Sequence, residues 1–381
     1  MKKLLCMLLA LVMVLAVASF ASAEETANYK IAILTGTTSQ GEEEVTAATK
    51  LVETYGAEKV LHDTYPDNFS SEVETTISKL IAFASDPDVK AIIFVQGVQG
   101  AVSAFTQIKD SLGRDDILLI AGVPAEDPAD ISAAADIVLA VDEIGCGYQV
   151  ADKAAEWGCD VIVHYSFARH LSYETIVAKR DAMKMTAEGY GIEFVERDCP
   201  DPTGDAGMSG AQAAVLEDVP KVMQEYAGKK VCFYCTNCGI QVALQQAVLA
   251  AGDDAYYALP CCPSPFHGYQ EAFGLDATYG DIEGAITNLA NFLNESGAAG
   301  RFSTWAIPVN MSMINASYEY ACAYAEGKIE GKVDEAFLTE CFSEAAGSEA
   351  ILGKYTNANG EELANYYLIQ FSPIDFADYV G

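Results

Sequence analysis

The chain has 381 residues, a formal net charge of −33 and a hydrophobic fraction of 51%. This length is enough for two lobes with separate cores. The acidic balance argues against binding to nucleic acid or to an anionic membrane surface, because both need a basic footprint. It is typical of a protein that its charge keeps in solution.

Residues 1–23 have the pattern of a secretory signal peptide. Lys2 and Lys3 form a basic start, residues 4–18 are apolar, and Ala-Ser-Ala at residues 21–23 forms a cleavage pattern. We therefore expect cleavage after Ala23 and a secreted or extracytoplasmic mature protein. A lipoprotein needs a cysteine at the cleavage point, and Cys6 lies too early, so no lipid anchor is expected.

The segment that follows predicts a strand, a polar loop and a helix. Residues 31–34 are apolar, as in a parallel strand that is covered on both faces. Gly36 ends this strand, and Ser39 with Glu42 three residues later forms the sequence pattern of a capping box. Apolar residues then recur at helical spacing over residues 45–55, which predicts a helix with one buried face.

The same strand-then-helix order repeats along the chain in two series. Such alternation predicts βαβ units and parallel sheets. We therefore predict an α/β fold of two similar lobes, each a parallel sheet flanked by helices. The predicted strands lie at residues 31–34, 59–63, 91–95, 117–121 and 136–141 in the first series, and at 160–164, 192–196, 230–235 and 255–259 in the second.

The predicted domain boundaries follow these two series. Lobe one is assigned to residues 27–143 together with about 308–327, and lobe two to residues 159–300. Residues 328–381 form a C-terminal extension that the patterns do not assign to either lobe. Within this extension, residues 366–371 are predicted as an edge strand.

Ligands bind open parallel sheets at the carboxyl ends of their strands, so the loops after the predicted strands should line a cleft between the lobes. These loops carry mainly hydroxyl, amide and imidazole groups, which suit a sugar, a nucleoside or a heterocycle. Taken singly, each residue is more simply explained as capping a helix or closing a turn. The candidate ligand-binding residues are Thr37, Thr38, Ser39, Gln40, Gln96, Gln99, Glu126, His164, Tyr165, Arg169, His170, Asp205, Thr236, Asn237, Ser264, His267 and, at the hinge, Trp305.

The cysteines allow two interpretations. Most of the ten that follow residue 23 lie within apolar patterns and are expected to pack as small buried hydrophobes. However, Cys232, Cys235 and Cys238 are spaced C-x-x-C-x-x-C, and Cys261-Cys262 ends the last strand of the same lobe. Together with the histidines of that lobe, these thiols suit a soft metal or redox chemistry. Packing is the favoured interpretation, so no metal and no cofactor are predicted.

Catalytic patterns do not appear in the sequence. It contains neither a G-x-S-x-G elbow nor an H-E-x-x-H pair, and the glycine-rich loop at residues 36–41 lacks the lysine of a phosphate-binding loop. We therefore expect that the protein is not an enzyme.

The two-lobe series after a signal peptide resembles the type I periplasmic solute-binding proteins, a superfamily that includes the sensor domains of LacI-like repressors. Phe-Ser-Thr-Trp-Ala-Ile-Pro at residues 302–308, followed by a helix from Met311, is similar to the third hinge crossing of that fold. The resemblance covers residues 30–325 and implies a hinge of several crossings. It also implies that the lobes capture a small organic ligand and deliver it to an ABC importer.

Four segments of lobe two more narrowly resemble an uncharacterised family from clostridia and their relatives, whose members are often lipoproteins. That family implies no ligand and no catalytic residues. The four segments are residues 169–173 with 179–181, 201–205, 236–238 and 262–268.

Two other functions remain open from the sequence. One is a ligand-sensing subunit of a membrane receptor, which would use the same cleft with a different partner. The other is a metal or redox protein that uses the cysteines and histidines of lobe two. A DNA-binding repressor is disfavoured by the signal peptide, the acidic charge and the lack of a helix-turn-helix before Tyr29.

Overall fold

The structure is a computed structural model that describes residues 29–276, 280–357 and 359–381. The expected signal peptide therefore lies outside the described residues. Within the described ranges, no helix has both the length and the apolar character needed to cross a bilayer.

Lobe one is built on a parallel sheet whose strands alternate with helices. β1 pairs in parallel with β2 on one side and with β3 on the other, and β4 and β5 continue the sheet in the same direction. The elements in chain order are β1 (Lys30–Thr35), α1 (Glu42–Tyr55), β2 (Val60–Thr64), α2 (Val73–Ser85), β3 (Val89–Val95), α3 (Ala101–Asp110), β4 (Leu118–Gly122), α4 (Pro128–Ala134) and β5 (Ile137–Val141).

Lobe two repeats this architecture with a smaller sheet of strand order β7-β6-β8-β9, in which all pairs are parallel. Its elements are α5 (Glu143–Glu156), β6 (Val161–Ser166), α6 (Glu174–Gly189), β7 (Glu193–Asp198), α7 (Gly207–Glu225), β8 (Val231–Cys235), α8 (Cys238–Ala251), β9 (Ala255–Tyr257), α9 (Tyr269–Phe273) and α10 (Ile282–Glu295).

The C-terminal extension completes lobe one. It contributes two strands, so that the sheet has the order β11-β12-β5-β4-β3-β1-β2. β12 pairs in parallel with β5 and antiparallel with β11, so the prediction of an edge strand at residues 366–371 is wrong. The remaining elements are β10 (Ser303–Thr304), α11 (Val309–Ala325), α12 (Glu335–Ala346), β11 (Ala350–Thr356), β12 (Glu362–Phe371) and β13 (Ile374–Asp375).

The chain crosses between the lobes three times. It leaves lobe one between β5 and α5, and it returns at residues 302–309, where β10 leads into α11. The last crossing follows β12, where β13 pairs antiparallel with β10 and Phe376 enters the core of lobe two. The crossing predicted at residues 302–308 is therefore present, but it is the second in chain order, and the third lies in the C-terminal extension.

Successive side chains along a strand point to opposite faces of the sheet, so each lobe has two hydrophobic cores. In β1, Ile31 and Ile33 pack on the side of α11, whereas Ala32 and Leu34 pack on the side of α2 and α3. All four side chains are fully buried. The continuous apolar run of this strand is explained by the helices that cover both faces of the sheet.

Truncation of Phe371 tests whether the extension is part of the lobe-one core. This fully buried residue of β12 packs with Phe342 of α12. We expect Phe371→Ala to lower the free energy of unfolding by about 3–5 kcal/mol, because it leaves a cavity in the core. The measurement is urea unfolding followed by circular dichroism.

Ile351→Ala is the matched control, since Ile351 lies on the outer strand β11 and is 49% exposed. Its effect should stay below about 1 kcal/mol. Equal effects of the two substitutions would contradict the placement of β12 inside the sheet.

Candidate functional site

Loops at the carboxyl ends of the strands of the two sheets meet between the lobes. This edge of lobe one carries the first turn of α1, and this edge of lobe two carries the loop after β9. The Ser264 hydroxyl of lobe two lies close enough to the Glu43 carboxylate of lobe one to lower its pKa. Close by, the Val309 N–H donates to the Pro263 carbonyl oxygen at 3.0 Å. Direct contacts between the lobes therefore bound one side of the cleft.

The lobe contact perturbs the Glu43 carboxylate. Burial raises the pKa of Glu43 from 4.5 to about 7, against the opposing effect of the Ser264 hydrogen bond. The Glu44 carboxylate adds to the rise in this pKa, whereas His267 reduces it. Near neutral pH, Glu43 can therefore act as either a donor or an acceptor of hydrogen bonds.

A second carboxylate, Glu44, organises the lobe-one side of the cleft and is only 2% exposed. Its Oε1 atom accepts hydrogen bonds from Gln96 Nε2 at 2.6 Å and from Asn310 Nδ2 at 2.6 Å. Gln96 follows β3 and has a φ of 55°, a left-handed conformation that is uncommon for residues other than glycine. The amide of Gln96 is thus held in one arrangement at the strand end.

The polar loop after β1 is tied to the end of β2 by Asp67. Its Oδ1 atom accepts hydrogen bonds from the hydroxyls of Thr37 and Ser39, and from Gln40 Nε2 at 3.2 Å. The capping-box prediction is wrong, because the N-cap of α1 is Gly41 and no side chain caps this helix. The loop residues instead form one hydrogen-bonded unit at the cleft edge.

The other predicted residues of lobe one have different surroundings. Thr38 and Gln99 are exposed. Glu126 accepts hydrogen bonds from the backbone N–H groups of Gly100 and Val102, at 3.2 and 2.8 Å. These bonds cap the start of α3, so Glu126 has a structural role that accounts for its position.

In lobe two, His170 lies in a polar group at the ends of β6 and β8. Its Nδ1 atom is 3.4 Å from Thr236 Oγ1, and its Nε2 atom is 3.2 Å from Asn237 Nδ2. The ring packs on Phe167 with a centroid separation of 4.4 Å. Burial and a nearby guanidinium lower the pKa of His170, which favours the neutral imidazole. This group presents neutral hydrogen-bonding atoms to the cleft.

His164 and Tyr165 lie in the core and not at the cleft. β6 continues two residues beyond the predicted strand end, so both side chains point into the layers that cover the sheet. His164 is 1% exposed and stacks on Tyr234, and burial lowers its pKa to about 3. On the opposite face, the Tyr165 hydroxyl donates to Asp218 at 2.9 Å.

Three more predicted residues have three different surroundings. Trp305 is 3% exposed, and its Nε1 atom donates to the Pro260 carbonyl oxygen at 3.3 Å. Arg169 forms a two-point ion pair with Asp201, at 2.6 and 2.9 Å. Asp205 is exposed in the loop after β7.

The remaining predicted residue, His267, lies against two thiols. Hydrogen bonds to Cys238 and Cys262 raise the pKa of His267, and hydrogen bonding to Cys261 and Cys262 holds the pKa of Cys238 well below its usual range. Cys238 starts α8, whereas Cys262 and His267 belong to the loop after β9. The structure thus brings together thiol and imidazole groups from two neighbouring strand ends.

Several residues of this site were not predicted from the sequence. Glu43 and Glu44 belong to an acidic run at residues 42–44, which the preference of helix starts for acidic side chains explains without a site. One or two acidic residues are enough to satisfy this preference, but the chain has three in succession. The third carboxylate is the signal that could have identified the site. Asp67 and Asn310 carry no comparable signal.

Solved structures share this architecture. A protein from Clostridium difficile 630, described as a proposed transcriptional regulator, aligns over 91% of this chain and 99% of its own, with a TM-score of 0.81 and 19% identity. A sugar ABC transporter protein from Actinomyces odontolyticus aligns over 82% of this chain and 88% of its own, with a TM-score of 0.53 and 9% identity. The fold is that of the type I periplasmic binding proteins.

The chain belongs to the family described as "Protein of unknown function (DUF3798)", which matches residues 29–303. An uncharacterized protein of Treponema pallidum (strain Nichols) is 37% identical over 183 residues, which cover 46% of this chain and 82% of that protein. A second protein of this organism is 35% identical over 178 residues, which cover 45% of this chain and 79% of that protein. The predicted resemblance to an uncharacterised family is confirmed, and the predicted resemblance to the type I periplasmic binding proteins is confirmed for the fold.

The raised pKa of Glu43 predicts how pH affects stability. Ionisation costs more in the folded protein than in the unfolded chain, so the stability that neutral Glu43 supports is present below about pH 4.5 and is lost as pH rises through about 7. The free energy of unfolding of the wild type should therefore fall relative to that of Glu43→Gln between about pH 5 and pH 8.

The measurement compares urea unfolding of both proteins across this range of pH. The control is Glu42→Gln, which changes an exposed carboxylate of the same helical turn and should follow the wild type. A wild type and a Glu43→Gln variant with parallel pH profiles would show that Glu43 is not desolvated at the lobe contact.

Proposed function

We propose that the protein is an extracytoplasmic solute-binding protein that captures a small organic ligand between its lobes. The observation that carries the proposal is the meeting of strand-end loops from the two sheets, where the Val309 N–H donates to the Pro263 carbonyl oxygen and Ser264 and His267 of lobe two lie close to Glu43 of lobe one. Gln96 and Asn310 stand on the lobe-one side, and His170 with Asn237 on the lobe-two side. Two surfaces joined by a hinge can enclose a ligand and exclude water from it.

The chemistry of these surfaces favours a neutral, polar ligand such as a sugar or a nucleoside. The Arg169 guanidinium is engaged by Asp201, and the Asp67 carboxylate by the loop after β1. Amide, hydroxyl and imidazole groups therefore supply most of the hydrogen bonds that a ligand can use. The likeness in fold to a sugar ABC transporter protein is consistent with this class of ligand.

The location and the partner follow from the same reasoning. The signal-peptide pattern at residues 1–23 and the charge of −33 fit a protein outside the cytoplasm. A protein that captures a solute there needs a membrane partner that takes the solute over, and an ABC permease is the partner proposed here. The protein itself is proposed to bind its ligand without converting it.

Binding is tested by screening the purified protein against monosaccharides and nucleosides. A ligand should raise the unfolding temperature, and small-angle X-ray scattering should show whether the lobes close around it. His170→Ala should weaken binding of that ligand about tenfold, equivalent to about 1.4 kcal/mol, because one hydrogen-bonding group is lost from the cleft.

The matched control is His62→Ala, because His62 lies on β2 of lobe one and contacts Thr35 away from the lobe-two groups. It should leave the affinity unchanged. Equal loss of affinity in both variants, or a screen in which no compound stabilises the protein, would contradict the proposed function.

A further inference from the structure

Three potential metal ligands lie together at the lobe-two side of the cleft. The Cys238 and Cys262 sulfur atoms and one ring nitrogen of His267 all lie within 4.8 Å of one another. The three side chains are half-buried, so an ion can reach them while much of the surrounding water is excluded. Packing alone does not explain why two thiols and an imidazole from separate segments converge on one point.

We propose that Cys238, Cys262 and His267 bind a thiophilic divalent cation, with Zn²⁺ as the expected ion. Thiolate and imidazole are the ligands that zinc prefers, and two thiolates with one neutral imidazole balance its charge. This balance limits the cost of placing the ion in a half-buried site. All three ligands belong to lobe two. Metal binding can therefore be tested independently of solute binding.

The distances between the sulfur atoms show how far the site has to adjust to hold zinc. A tetrahedral zinc ion with Zn–S bonds of about 2.3 Å needs sulfur atoms about 3.8 Å apart. The Cys238 and Cys262 sulfurs are 2.7 Å apart, and Cys238 lies 3.4 Å from Cys261. The first pair therefore has to open by about 1 Å to accept zinc, which a change of side-chain rotamer can supply.

A buried glutamine fixes the loop that carries two of the ligands. Gln241 of α8 is fully buried. Its Oε1 atom accepts a hydrogen bond from the Cys261 N–H at 2.5 Å, and its Nε2 atom donates to the His267 carbonyl oxygen at 2.7 Å. One side chain thus holds both ends of the loop against the helix that starts with Cys238. Such support around the ligands is typical of metal sites.

The glycine after His267 fits the same arrangement. Gly268 has a φ of 80°, and a Cβ atom there would lie 2.8 Å from the side chains of both Gln241 and Gln245. Only glycine allows this turn to approach α8 so closely. The loop is therefore shaped to keep His267 beside the two thiols.

Three protein ligands leave one position of a four-coordinate ion without a protein ligand. Zinc sites with three protein ligands keep this position for water or for a bound molecule. Lobe one lies next to the site, because the Val309 N–H donates to the Pro263 carbonyl oxygen at 3.0 Å and His267 interacts electrostatically with Glu43 in the first turn of α1. An ion at this site would therefore lie at the surface that closes against lobe one.

The test uses the full protein, purified without oxygen and freed of metal with a chelator. Addition of Co²⁺ should produce thiolate-to-cobalt charge-transfer absorption that saturates at one equivalent, and Zn²⁺ should displace the cobalt. Cys262→Ser and His267→Ala should each lower the zinc affinity more than tenfold. Cys322→Ser, which alters a half-buried thiol of lobe one, should leave it unchanged.

A second pair of variants tests the supporting glutamine. Gln241→Ala should weaken zinc binding about 10–100-fold while the cobalt spectrum keeps its thiolate bands, as expected for a residue that positions ligands. Gln246→Ala, on the same helix but exposed, is the control. The proposal is overturned if wild-type protein gives no thiolate-to-cobalt absorption, or if Cys238 and Cys262 form a disulfide that persists without oxygen and blocks the metal.

Discussion

Parallel strand pairing is the constraint on which both lobes depend. Each helix returns the chain to the same end of the sheet, so every loop that follows a strand lies at one edge. The strands themselves are apolar because helices cover both of their faces, and Ile31 to Leu34 are fully buried for this reason. Polar groups are therefore concentrated at the strand ends, where Gln96, Thr236 and Ser264 contact neighbouring polar groups.

The hinge holds these two edges opposite each other. Its third crossing is tied to α5, the helix that follows the first crossing, because Lys153 of α5 forms an ion pair with Asp375 of β13 at 3.0 Å. Lys153 is only 7% exposed, so this pair is partly shielded from solvent. The C-terminal extension thus has two roles: β12 and β11 widen the sheet of lobe one, and β13 carries the chain back to lobe two. The geometry of the cleft depends on a part of the chain that lies far from it in sequence.

The parts of the fold that could be predicted are those that local patterns encode. Residues 31–34 form a strand as predicted, because an apolar run between turn signals is a local property. The partner of β12 could not be predicted, since its pairing with β5 joins residues more than two hundred positions apart. In the site, His164 was misplaced because the predicted end of β6 was two residues too early. β6 extends to Ser166, and this places His164 inside the core although the sequence predicts it at a strand end. Glu43 was missed because an acidic residue in a first helical turn needs no further explanation.

The ligand site is proposed to lie where the strand-end loops of the two lobes meet. The most direct measurement is a crystal structure of the protein as purified without oxygen, with anomalous data collected at the zinc edge. We expect density for a small molecule between the first turn of α1 and residues 236–238, with any bound zinc at Cys238, Cys262 and His267. A small molecule bound elsewhere, for example in the inter-lobe cavity lined by Ile282, Ala306 and Ala346, would contradict it.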